Sequence, residues 1–107
     1  MTVENVLGFF DSFKSNEIPD FVKIGWLAEI DGRILCEIHK MDKNTVMLPK
    51  GSSDALVLPE GYARVYQLYL GAMTELAQGN FDAYKSFRDE FESALATYAK
   101  YYIRNRV

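Results

Sequence analysis

From residue 3 onward, apolar side chains recur three and four positions apart, with Val3, Leu7 and Phe10, or Val6, Phe10 and Phe13, on one face. That period predicts an amphipathic helix over about 3–14, with Thr2 as its N-cap and the polar pair Ser15 and Asn16 closing it. Pro19 and Asp20 open a second helix, over about 20–40, whose apolar stripe runs through Ile24, Leu27, Ile30 or Asp31, Ile34 and Ile38. Its outer face carries Glu29, Arg33 and Glu37 at four-residue steps, a spacing at which opposite charges support a helix. Gly25 and Gly32 interrupt this helix. Glycine inside a helix costs about 1 kcal/mol relative to alanine, so each implies a neighbour packed too closely for a side chain.

Between residues 41 and 58 the helical period is lost, and Asp42, Asn44, Pro49, Gly51, Ser52, Ser53 and Asp54 read as turn and loop. Residues 45–48 and 55–58 read as short extended pieces that can pair across the intervening turn; the pattern suits an exposed loop as well. Pro59 and Glu60 begin a third helix, over about 60–78, with Tyr62, Tyr66, Tyr69, Met73 and Leu76 on one face. Gly79 suits the left-handed position that ends a helix, and Asn80 and Asp82 suit the start of the next. The fourth helix, over about 81–104, carries Tyr84, Phe87, Phe91, Ala94, Tyr98 and Tyr101 at matching spacings. Two helices joined by so short a turn run antiparallel. The expected fold is therefore all-α: one four-helix domain over 1–107, with a long C-terminal helical hairpin and a short β-hairpin as an option in the central loop.

The two arms of the helical hairpin are unequal. Counting outward from Gly79 puts Pro59 opposite Ala99, so the fourth helix overshoots its partner just where Tyr98, Tyr101, Tyr102 and Ile103 cluster. Burying a large apolar side chain contributes roughly 1.5–3 kcal/mol, so this end calls for a cover. Either the first two helices supply it or another protein does, which makes these four residues the candidate protein interface.

Composition narrows the classes of function. At 107 residues, 49% hydrophobic and 25% charged, the chain suits a single globular core. Its apolar runs are too short to span a bilayer, and Met1 to Glu4 lacks the basic start of a secretory leader, so a cytoplasmic product is expected. A net charge of −3 gives no general attraction to nucleic acid. The terminal cations Lys100, Arg104 and Arg106 fall where they oppose a helix dipole. Cys36 is the only cysteine and His39 the only histidine; lying three residues apart, they lack the further ligands a zinc site needs. They read instead as a small buried thiol and a surface imidazole. Phosphate loops and nucleophile elbows are absent, so no catalytic residue, metal or cofactor is expected, and the chain is read as a non-enzyme.

One resemblance extends over most of the sequence. The segment 24–34, with Trp26, Glu29, Asp31, Gly32 and Arg33, is followed by Leu56, Val57, Leu58, Pro59, Tyr62, Tyr66, Tyr69, Gly79, Asn80, Phe81, Tyr84, Phe87, Phe91, Tyr101 and Tyr102. Together these resemble a family of small prophage proteins of Gram-positive bacteria that pair a Trp-hydrophobic-x-Glu-hydrophobic-Asp-Gly-basic-Ile motif with a Tyr-rich hairpin. The resemblance implies a virion structural protein similar to the helical head–tail connector, or adaptor, proteins of long-tailed phages. It further implies portal, neck or tail components as partners, a homo-oligomer on assembly, and a place in the host cytoplasm and then the virion. Membrane and sequence-specific nucleic acid are not among the expected partners. The alternative reading is a cytosolic helical-hairpin adaptor or assembly chaperone that holds a partner peptide or helix in a groove.

Overall fold

A computed structural model describes residues 1–42 and 51–105. Among these, α1 spans Val3–Phe13, α2 Asp20–Arg33, α3 Ala63–Ala77 and α4 Phe81–Arg104. A π-helical turn, Ile34–Ile38, extends α2, and a 3₁₀ turn, Glu60–Tyr62, leads into α3. The second helix thus reaches as far as its stripe predicts, with a widened last turn, and Lys40 ends it at a φ of 60°.

Each start and stop has a local cause. Thr2 caps α1 reciprocally with Asn5: the Thr2 hydroxyl accepts from the Asn5 N–H at 3.3 Å, and the Asn5 side chain accepts from the Thr2 N–H at 3.3 Å. The Val3 and Glu4 N–H groups, which no helical carbonyl can serve, donate to the Asp54 and Ser52 carbonyls at 3.0 and 2.8 Å. Gly79 turns α3 into α4 at a φ of 79°, a conformation that glycine adopts without strain. Asn80 stands at the N-cap of α4, yet its side chain makes no cap bond; it donates to the Glu75 carboxylate at 2.9 Å.

Cross-helix contacts fix the directions. Val6 accepts from Gln67 and Lys14 pairs with Glu75, so α1 runs parallel to α3. Asp31 meets Tyr66 and Glu29 meets Tyr69, so α2 runs antiparallel to α3. The hairpin pairs Tyr62 with Tyr98 and Tyr69 with Phe91, both with ring centroids 5.1 Å apart, close to the register counted from Gly79. Between α1 and α2 the buried ammonium of Lys23 binds Asp11 at 2.6 Å and Asn16 at 3.2 Å, tying the end of one helix to the start of the other.

Helix α3 lies at the centre. Val65, Tyr66, Leu68, Leu70 and Ala72 are all buried on it, which takes in more than the single stripe from Tyr62 to Leu76 that the sequence suggests. Of that stripe only Tyr66 is fully buried, and Leu76 is exposed. The reason is that α3 packs against α1 and α2 as well as α4. On α4, Phe91, Leu95 and Tyr98 enter the core; on α1, Val3, Val6, Leu7 and Phe10 do. Of the expected β-hairpin, residues 45–48 lie outside the described residues. The other arm pairs elsewhere: Ala55 forms an isolated antiparallel bridge with Thr2, and the Leu56 N–H donates to Met1 at 3.0 Å.

The glycines divide by what surrounds them. A Cβ on Gly71 would lie 2.6 Å from the Phe87 ring, so this glycine lets α4 approach α3 closely, whereas Gly25 has open space around it and no packing neighbour, contrary to the expectation for that position. Gly71→Ala should therefore destabilise the fold by about 1–3 kcal/mol through overpacking. Gly25→Ala should stabilise it by up to about 1 kcal/mol. Urea unfolding of the two variants checks both signs.

Candidate functional site

The residues of the 24–34 segment act first on the hairpin. Asp31, fully buried on α2, accepts from the Tyr66 hydroxyl at 2.5 Å and from the Val57 N–H at 3.1 Å. Tyr66 in turn accepts from the Leu58 N–H at 2.9 Å, so two side chains satisfy the buried backbone that enters α3. Glu29 accepts from the Tyr69 hydroxyl at 3.0 Å; burial and this neighbouring carboxylate push the Tyr69 phenol up to about 12. Arg33 binds Glu92 through both terminal nitrogens, at 3.1 and 3.2 Å, and Glu37 through Nε at 2.6 Å. Trp26 packs at the edge of the core and Gly32 is half-buried. Glu29 and Asp31 thus grip α3, and Arg33 grips α4.

At the far end of α4 the four candidate interface residues separate. Tyr98 is buried: its hydroxyl and His39 Nε2 share a hydrogen bond at 2.6 Å, and Tyr62 meets its ring edge-on. Tyr102 is half-buried, stacked on the His39 ring with centroids 4.1 Å apart. Tyr101 and Ile103 remain 43% and 67% exposed. The second helix therefore supplies half of the cover, through a histidine that the sequence suggested would sit on the surface. Burial holds the His39 imidazole below its ordinary 6.5 and so neutral at pH 7. Its partner in the sequence, Cys36, is a free thiol in a half-buried position. Among the described residues, no three His, Cys, Asp or Glu side chains converge on a place where a metal could sit. Nor is any helix among them long and apolar enough to cross a membrane.

A second apolar surface lies beside α1. Val6, Phe9, Phe10 and Phe13 of α1, Ala63 and Leu68 of α3 and Phe87 of α4 line an open groove of about 840 Å³. Glu60 stands in its wall near the start of α3, and Lys14 in its wall near the end of α1. Phe9 and Phe13 stack on each other at 5.2 Å and are 54% and 79% exposed. One signal of this surface stands in the sequence: the two alternative stripes on α1 together span a wider apolar arc than contact with one neighbour requires.

The Asp31 bond carries a pH signature. Desolvation raises its carboxyl from an ordinary 3.8 to about 6, against the opposing effect of the Tyr66 and Val57 hydrogen bonds. Folded Asp31 therefore holds a proton more tightly than unfolded Asp31. Its contribution to stability is complete below about pH 4 and is lost as pH rises through 6. Relative to Asp31→Asn, wild type should gain roughly 2–3 kcal/mol between pH 7.5 and pH 4 in chemical denaturation, and a flat difference would contradict the assignment. Asp31→Ala should cost about 2–4 kcal/mol at pH 4, by leaving the Tyr66 hydroxyl and the Val57 N–H unpaired, and markedly less at pH 7.5, where ionisation of Asp31 has removed most of its contribution.

Set against known proteins, the chain matches no family model, no curated protein and no solved structure.

Proposed function

We propose that this protein is a phage or prophage virion-assembly protein, a head–tail connector-like adaptor working through ring-forming contacts with its own copies and with portal, neck or tail components. What supports the reading is a conjunction. The Trp26, Glu29, Asp31 and Arg33 segment and the tyrosine-rich hairpin, which carry the resemblance from distant parts of the sequence, also bond to one another. The segment's polar groups are occupied in holding the hairpin, so contact with other molecules falls to exposed apolar groups, among them Tyr101 and Ile103 at the α4 end. In a ring, each such patch meets a different patch on the next subunit. The reading assigns no catalytic step and no cofactor, and sets the protein in the host cytoplasm during assembly and in the particle afterwards.

A second reading, an adaptor or assembly chaperone that holds a partner's helix, is favoured by the apolar groove beside the hairpin. Purified particles separate the two. The connector reading expects the chain in particles at a fixed ratio to portal. Exchanging Tyr101 and Ile103 together for Asp should lower incorporation at least tenfold, with the unfolding midpoint unchanged. Absence from particles, together with failure to bind portal, neck or tail proteins in light-scattering measurements, would overturn it.

A further inference from the structure

We infer that residues 51–58 are a strap latched by Asp31, held shut while its carboxyl is neutral and loosened when it ionises. The strap has two attachments. On one side it serves the start of α1: the Asp54 and Ser52 carbonyls accept from the Val3 and Glu4 N–H groups, Ala55 bridges to Thr2, and the Leu56 N–H donates to Met1. On the other side the Val57 N–H donates to Asp31 on α2 at 3.1 Å and the Leu58 N–H to Tyr66 on α3 at 2.9 Å. Leu56 and Leu58 are buried beneath it.

The ion pairs between helices bypass the strap. Lys14 pairs with Glu75, Lys23 with Asp11 and Arg33 with Glu92, so these ties persist when the strap lifts. Lifting is therefore local, an opening of a weakly held segment below the free energy of global unfolding.

The latch answers to charge because Asp31 is fully buried and, among the described residues, no cation pairs with it. From α3 it faces the Tyr66 phenol, and from the strap the Val57 N–H. On its own helix Arg33 is turned to Glu92 and Glu37, Glu29 to Tyr69, and Lys23, near the helix start, to Asp11. Desolvation outweighs the two hydrogen bonds and raises the carboxyl to about 6. The shut state thus holds the proton more tightly than the open one, so opening grows as pH rises from about 4 through 6. Its effect reaches the surface, since Met1, bonded to the strap, and Glu60, two residues beyond it, both stand in the wall of the apolar groove. None of this depends on what the chain assembles with.

Amide hydrogen exchange of the full chain, read residue by residue by NMR from pH 5 to pH 7.5 and corrected for intrinsic rates, tests the latch. The Val3, Glu4, Leu56, Val57 and Leu58 amides should lose about tenfold in protection over that range. The loss should level off just above pH 6, the midpoint at which the Asp31 carboxyl resonance titrates. Global unfolding also frees Asp31, so hairpin amides such as those of Leu70 and Phe91 share the slope. The strap amides are set apart by protection lower by roughly tenfold or more, and by indifference to low concentrations of urea. Asp31→Asn should flatten the pH response of the strap. Tyr66→Phe removes one hydrogen bond to the carboxylate and should move the levelling point upward. Strap and hairpin amides that open together at every urea concentration would overturn the inference. So would strap protection in the wild-type chain that stays flat across the pH range, and neither result requires a variant to fold.

Discussion

The fold depends on one buried carboxylate. Asp31 is buried on a helix whose other buried groups are Lys23, Leu27 and Ile30, and among the described residues no cation pairs with it. Its partners are a phenol and a backbone N–H, and the same phenol accepts from the next backbone N–H, at Leu58. Residues 57 and 58 carry the chain from the central segment into α3. Without side-chain partners, their polar backbone groups would be buried unpaired, at a cost of roughly 1–3 kcal/mol each. Asp31 and Tyr66 thus let irregular backbone run through the core and place α3 between its three neighbours. Glu29 and Arg33 then settle the register on either side, through Tyr69 and Glu92.

This arrangement explains why helix positions were legible in the sequence and packing was only partly so. Helix starts and stops depend on neighbouring residues: Thr2 with Asn5 at one end of the chain, Gly79 at the tight turn. Such signals survive in a linear reading. Centrality does not, because it depends on which elements meet. The tyrosine stripe on α3 predicts one seam toward α4, whereas Val65, Leu68, Leu70 and Ala72, off that stripe, are buried as well. Gly25 and Gly71 make the same point from opposite sides. Gly25, inside a predicted amphipathic helix, has nothing packed on it, while Gly71, which admits the Phe87 ring, sits in an apolar stretch with no such signal around it.

The candidate surfaces were half legible for a related reason. Chain counting showed that α4 outruns α3, and Tyr101 and Ile103 are indeed exposed there. It could not show that the π-turn at 34–38 would swing His39 over Tyr98 and Tyr102, because a widened turn changes the direction of every residue after it. The groove was harder still. Phe10 and Phe13 shared a stripe in the sequence, but Phe10 is buried while Phe13 stands outside with Phe9. Only the position of α1 relative to α3 and α4 separates a core phenylalanine from a surface one.

The two apolar surfaces are linked where α3 begins. Glu60 lines the groove, and Tyr62, two residues on in the same 3₁₀ turn, packs against both Tyr98 and Tyr101 at the α4 end. Three residues therefore join the wall of one surface to the cover of the other. That turn is itself held from below, since Pro59 and Glu60 follow directly on the backbone that Asp31 and Tyr66 secure. A contact that shifts Glu60 must move Tyr62, or else strain a turn whose entry is fixed by buried hydrogen bonds. The pair of side chains that carries the fold thus also sets the spacing between the two exposed apolar surfaces.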